Sequence, residues 1–219
     1  MANAQMFDIN VSAMESLKHA LNATQAQYIG AYNRALTRTV SKLYRDSVTL
    51  MLEQAGVRKK STARRRVKDF KKQRSGGREG RSLSGLQIRG AKIWYGLNPF
   101  RLHELKGKIS GTGDSRRKNK GATQKTGKVT FIPTGKGLSP VTFDSAFIGK
   151  RYGYRSVWIR GEDSRIREAR IPVAEGMEDA IDDHIFNNIG PIFWRYFEQD
   201  LSARVAANIH FDPKTGRRA

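Results

Sequence analysis

The chain contains no cysteine in its 219 residues, so no disulfide staples it and no thiolate holds a metal. No apolar run approaches the roughly 20 residues that a membrane-spanning helix requires, and no membrane contact is expected. Residues 1–10 lack a basic stretch followed by an apolar one, so we expect no signal peptide and place assembly in the cytoplasm where the chain is made. Acids are scarce: 20 Asp and Glu face 41 Lys and Arg, leaving a net charge of +21. That scarcity is local. Residues 58–128 hold 23 Lys and Arg against Asp69, Glu79, Glu104 and Asp114, a net of +19. A near-neutral body thus carries a long basic stretch, which points to a polyanion, above all nucleic acid. Aromatics are also rare there, with Phe70 alone between residues 58 and 81, so base stacking on this stretch has little support. What remains is Lys and Arg against phosphate, independent of sequence and sensitive to salt.

A hydrophobic fraction of 38% and a mean hydropathy of −0.61 are low for a compact globule. The deficit lies in the basic third, and the remainder is long enough to bury a sizeable core. Residues 7–11 alternate and predict a short strand. Ser12 reads as an N-cap, with Glu15 completing a capping box, ahead of a helix bearing Met14, Leu17 and Leu21. A longer helix over residues 25–54 follows from Ile29, Tyr32, Leu36, Val40, Leu43, Tyr44, Val48, Met51 and Leu52 at three- and four-residue spacing, with Gly56 as its stop. The basic stretch predicts a helix from residue 61 to about 72, ended by Ser75-Gly76-Gly77. Leu86, Ile88, Ile93, Tyr95 and Leu97 give strand periodicity around Gly90, closed by a turn at Asn98-Pro99. Residues 106–128 are rich in Gly, Ser, Thr and Lys and read as a flexible loop.

Strand patterns return at residues 129–133, 143–148 and 155–160, the last two joined across Tyr152-Gly153-Tyr154. The continuous run Val157-Trp158-Ile159 predicts a strand covered on both faces. Pro172 suits the first turn of a helix whose inner face holds Met177, Ile181, His184 and Ile185. Gly190-Pro191 breaks it, and a last helix over residues 192–209 presents Phe193, Tyr196, Phe197, Leu201 and Val205. The expected class is α+β: an antiparallel sheet of about four or five strands packed with N- and C-terminal helices. We expect one domain over residues 1–219, with a basic insert at 58–85 and the loop at 106–128.

Catalytic patterns are weak. Residues 121–128 resemble a phosphate loop, but five residues separate Gly121 from Gly127 where the motif has four. Val129 stands where Ser or Thr is needed. Asp182, Asp183 and His184 are the nearest approach to a metal-dependent nuclease site, yet Glu175, Glu178, Asp179, Asp182 and Asp183 read better as one acidic helix face. His19, His103, His184 and His210 show no metal-ligand spacing. We therefore expect no enzyme, no metal, no cofactor and no small-molecule substrate. The candidate polyanion or assembly contacts are Arg58, Lys59, Lys60, Arg64, Arg65, Arg66, Lys68, Lys71, Lys72, Arg116, Arg117, Lys118 and Lys120. The acidic face is a candidate contact between subunits.

The order of several short pieces carries a resemblance: Asn33-Arg34-Ala35, Gly56-Val57-Arg58-Lys59-Lys60, Arg64-Arg65-Arg66-Val67, Ala146-Phe147-Ile148, Val157-Trp158-Ile159-Arg160 and Ile171-Pro172-Val173-Ala174. In this the chain resembles the minor tail protein Z family of tailed bacteriophages, the tail completion proteins. The resemblance implies a structural virion role at the head-proximal end of a tail. It implies a homo-oligomeric ring, expected as a hexamer, around the DNA path, with the tail terminator, tail tube and head–tail connector as neighbours. A ring contact needs two complementary surfaces per subunit, and the chain has both signs of charge. The charge alone would equally suit a free, sequence-independent nucleic-acid-binding protein.

Overall fold

A computed structural model describes residues 11–74, 89–111, 126–161, 163 and 165–208. The chain is α+β. In order it forms α1 (Val11–Ala20), α2 (Gln25–Glu53), α3 (Lys60–Arg66), β1 (Val67–Arg74), β2 (Arg89–Tyr95), β3 (Phe100–Arg101), β4 (Gly107–Gly111), β5 (Gly127–Pro133), β6 (Val141–Arg151), β7 (Tyr154–Arg160), β8 (Ile166–Glu168), β9 (Arg170–Ile171), α4 (Ala174–His184) and α5 (Ile189–Ala206). Short 3-10 turns lie at Leu102–Glu104 and Phe186–Asn188. Among the described residues, no helix is long and apolar enough to cross a membrane. The chain divides into two compact units.

The first unit comprises Met1–Asp46, Lys68–Trp94 and Asp182–Ala219. Its core joins Met14 of α1, Ala31 and Ala35 of α2, and Phe193, Phe197 and Leu201 of α5. The pairing of small with large explains the fit. Ala31 and Ala35 lie one turn apart on α2, as do Phe193 and Phe197 on α5, so alanines leave room for rings. Tyr28 meets Phe197 edge to face with centroids 5.6 Å apart, and Tyr32 meets Phe193 in the same way at 5.6 Å. Burial raises the pKa of both tyrosines, in Tyr28 with a further contribution from Glu15. Arg204 sits within this unit at 6% exposure, its Nε donating to Asp200 Oδ2 at 2.5 Å. Asp200 also takes Arg34 Nε at 3.2 Å. A Cβ on Gly30 would lie 2.8 Å from Arg204 Nη1, so a side chain there would displace the guanidinium.

The second unit comprises Ser47–Val67 and Tyr95–Ile181. Its centre is a five-stranded antiparallel sheet in the order β4-β5-β6-β7-β8, so each strand pairs with its sequence neighbour. Val129, Phe131, Ala146, Phe147, Val157 and Trp158 are buried along it. The two strand pieces of the resemblance are direct ladder partners: Ala146 opposes Ile159, Phe147 opposes Trp158 and Ile148 opposes Val157. A separate two-residue ladder pairs β3 with β9, setting Phe100 against Ile171 and Arg101 against Arg170. The end of α2 is capped from the loop after β5. The N–H groups of Lys136 and Gly137 donate to the carbonyls of Glu53 and Gln54 at 3.2 and 3.0 Å. Gly56 takes φ +64° there, as its reading as a helix stop requires.

Several expectations are corrected. Val11 begins α1 rather than ending a strand, so Ser12 lies inside the first turn; residues 7–10 lie outside the described residues. The helix expected to reach residue 72 stops at Arg66. Val67 is β-branched and buried, adopts φ −120° and ψ 127°, and starts a strand paired with β2. Residues 107–111 of the expected flexible loop form edge strand β4, held because Lys108 and Ser110 face Ile132 and Thr130 of β5 in register. Residues 112–125 lie outside the described residues. Pro172 precedes α4, because Ile171 is still paired with Phe100. His184 is exposed, not on an inner face; Ile185 takes the buried place. Gly190 and Pro191 lie in the first turn of α5, where the missing proline N–H costs no helical bond.

Candidate nucleic-acid interface

The basic residues read from the sequence fall into distinct groups. In α3, Thr62 and Ala63 are buried while Lys60, Arg64 and Arg65 are exposed, and Lys59 precedes them, also exposed. Three arginines in the last turn suit the negative end of a helix. Arg58 and Arg66 are tied into the second unit. The Arg58 guanidinium donates twice to the Leu105 carbonyl, at 3.2 and 3.1 Å. Arg66 donates to the Asn98 carbonyl at 3.2 Å and lies 4.4 Å over the Phe100 ring. Arg65 reaches back to Thr62 Oγ1 at 3.3 Å. Arg58, Lys59, Lys60, Arg64 and Arg65 are exposed, whereas Arg66 is half-buried. Lys68 belongs to the first unit, exposed, with its ammonium 5.8 Å over Trp94. Lys71 and Lys72 lie on β1. Arg116, Arg117, Lys118 and Lys120 lie outside the described residues.

The acidic residues all fall within α4. Glu175, Glu178, Asp179 and Asp183 are exposed and Asp182 is half-buried. Glu175 occupies the first turn, where a carboxylate favours the helix N-terminus. Among the described residues, no group of three or more His, Asp or Glu side chains is placed to hold a metal ion.

A second site was missed in the sequence. A cleft of about 940 Å³ in the second unit is lined by Arg101, Tyr152, Tyr154, Arg167, Glu168 and Arg170, among others. Its floor is built around Glu168, whose carboxylate accepts from His103 Nδ1 at 2.7 Å, the His103 backbone N–H at 3.1 Å, Ser156 Oγ at 2.6 Å and the Tyr154 hydroxyl at 3.3 Å. This network locks an aromatic series. His103 stacks on Tyr154 at 3.8 Å, and Tyr154 lies parallel to Trp158 at 6.1 Å. Trp158 is 3% exposed and donates Nε1 to the Gly149 carbonyl at 3.0 Å. Desolvation, followed by the Glu168 carboxylate, raises the Tyr154 pKa, and Arg101 opposes the rise. At the rim, Tyr152 is 83% exposed with its ring 6.0 Å from Trp158.

No short motif marks this cleft, because its side chains come from the β3, β6–β7 and β8–β9 segments. The one sequence signal was Tyr152-Gly153, an aromatic where a two-residue hairpin turn usually has Asn or Gly. Among protein-family models, curated proteins and solved structures, none matches the chain.

Proposed function

We propose that this chain is a non-enzymatic structural subunit of the head-proximal end of a bacteriophage tail, acting in the virion as a ring around the DNA path. The carrying observation is that the apolar residues of the tail-completion resemblance, among them Ala35, Val57, Val67, Phe147, Trp158 and Ile171, are buried in the framework, while its basic residues lie on the surface. Ala146-Phe147-Ile148 and Val157-Trp158-Ile159 are ladder partners at the sheet centre. Val57 is buried and bridges to Leu105, and Ile171 and Val173 are buried where the chain enters α4. The surface charges suit the role as well. The exposed cations on and beside α3 and the exposed carboxylates on α4 are opposite in sign, which gives each subunit two different, complementary surfaces of the kind a head-to-tail ring contact joins. In this reading the partners are further copies of the chain, expected as a hexamer, with the tail terminator, tail tube and head–tail connector beside them and DNA in the lumen.

The test is mass determination of the purified chain, alone and with duplex DNA, together with imaging of assembled tails. A closed ring at the neck is expected. A chain that stays monomeric in both settings overturns the reading. The exposure of Lys59, Lys60, Arg64 and Arg65 also supports a second reading, a free sequence-independent nucleic-acid-binding protein. That reading expects duplex affinity to fall steeply with salt, as released counterions demand. Affinity that holds at high salt removes it.

A further inference from the structure

We propose that the cleft beside the β6–β7 hairpin is a binding site for single-stranded nucleic acid, with Tyr152 stacking on a base and Arg101 and Arg170 holding phosphate. The proposal stands independently of the tail reading.

Two locally unfavourable choices meet at this place. The first is the turn. Tyr152 takes φ +51° and Gly153 φ +85°, both in the left-handed region. That is the type I′ geometry, which favours Asn or Gly at its first central position and strains a bulky residue. The tyrosine is nevertheless kept at 83% exposure, its ring unused by the core. The second is the β3–β9 ladder. Its two pairs include Arg101 directly opposite Arg170, both exposed and both lining the cleft. Like charges at directly opposed positions destabilise a strand pair.

The acids beside Arg101 and Arg170 already accept hydrogen bonds or ion pairs, Glu104 from the Arg101 backbone N–H at 3.2 Å. Glu168 accepts four hydrogen bonds from the floor, and Asp163 pairs with Arg167 at 2.7 Å and with Arg165 at 3.8 Å. An external anion placed between Arg101 and Arg170 relieves their repulsion, and the guanidinium fork matches phosphate. An exposed ring held beside a cationic groove is the arrangement by which single strands are bound without regard to sequence. Duplex DNA offers no free base face to Tyr152, so the aromatic selects unpaired strands. The Tyr154–Trp158 packing and the Glu168 network order the side chains next to Tyr152, whose ring lies 6.0 Å from Trp158.

The experiment measures fluorescence anisotropy of the full chain with a labelled oligothymidylate, an oligouridylate and a duplex of equal length, at low salt. In Tyr152→Ala we expect single-strand affinity to fall about 10-fold or more, while duplex affinity is unchanged. Equal losses for the thymidylate and uridylate assign the site to either sugar, and unequal losses name the preferred one. Tyr152→Asn suits the left-handed turn, so it should hold or raise the melting temperature while still losing the single strand. Tyr152→Trp should retain binding. Lys59→Ala with Arg64→Ala, neither of which lines the cleft, should weaken both ligands alike. Undiminished single-strand binding by Tyr152→Ala and Tyr152→Asn overturns the proposal. So does poly-glutamate competing as well as oligothymidylate, which would assign the cleft to an acidic protein.

Discussion

Arginine serves opposite ends in the two units. In the helical unit, Arg204 is buried and its charge is answered within the chain by Asp200, which also holds Arg34. In the sheet unit, Arg101 stands opposite Arg170 with both exposed to water. The difference follows from solvation. A guanidinium removed from water must have an internal counter-charge, whereas water and salt let two exposed ones face each other at small cost. The Arg204–Asp200 pair thus serves stability, whereas the opposed Arg101 and Arg170 leave their charge available to the external anion proposed above.

The sharpest test of that contrast is the largest expected effect. Asp200→Ala removes the carboxylate to which Arg204 Nε donates while the guanidinium stays buried, and should cost about 3–5 kcal/mol in urea unfolding. Arg34→Ala removes the exposed member of the same cluster and should cost at most about 1 kcal/mol. If the two losses are equal, the burial of Arg204 is not what matters.

Alkaline titration gives the next effect. Burial raises Tyr95 to about 12 from its ordinary 10, despite the opposing hydrogen bond with Ser47 at 2.7 Å. The unfolded phenol ionises first. The contribution of Tyr95 is therefore complete below pH 10 and is lost as pH climbs from 10 to 12. The loss approaches about 2–3 kcal/mol across that window. Tyr28 and Tyr32 are raised too, so the helical unit contributes a loss of the same sign. Tyr95→Phe should flatten part of the decline above pH 10, at a cost near neutrality of about 1 kcal/mol for the lost hydrogen bond. An unchanged alkaline slope would show that Tyr95 ionises as freely in the folded chain as in the unfolded one.

What the sequence revealed follows the range of the forces involved. Periodicity set α2 at Gln25–Glu53 against an expected 25–54, and Gly56 ended it, because helix pattern and stop are local. The Tyr152-Gly153 turn was legible for the same reason. The end of α3 was not, since Ala63, Arg64, Arg65 and Arg66 favour a helix, and only pairing with β2 turns Val67 to strand. Strand β4 was hidden by its own composition. Gly107, Lys108, Ser110 and Gly111 read as loop, but a ladder partner in β5 supplies the order they lack. Ala31 and Ala35 escaped notice as core because small residues carry little pattern, although both are fully buried. The cleft was invisible because Arg101 and Arg170 lie far apart in sequence and meet only through the β3–β9 ladder.

The smallest expected effect bears most directly on the comparison. Arg170→Glu turns the opposed arginines into an opposite-charge pair with Arg101. By the usual worth of cross-strand pairs, the chain should gain about 0.2–1 kcal/mol in urea unfolding. The same change places a carboxylate where we set a phosphate, so oligothymidylate affinity should fall while stability rises. A buried, structural arginine cannot behave in this way, as the expected loss in Asp200→Ala illustrates. If Arg170→Glu instead destabilises the fold, then Arg170 is already answered from within the chain, as Arg204 is, and the distinction between the two units disappears.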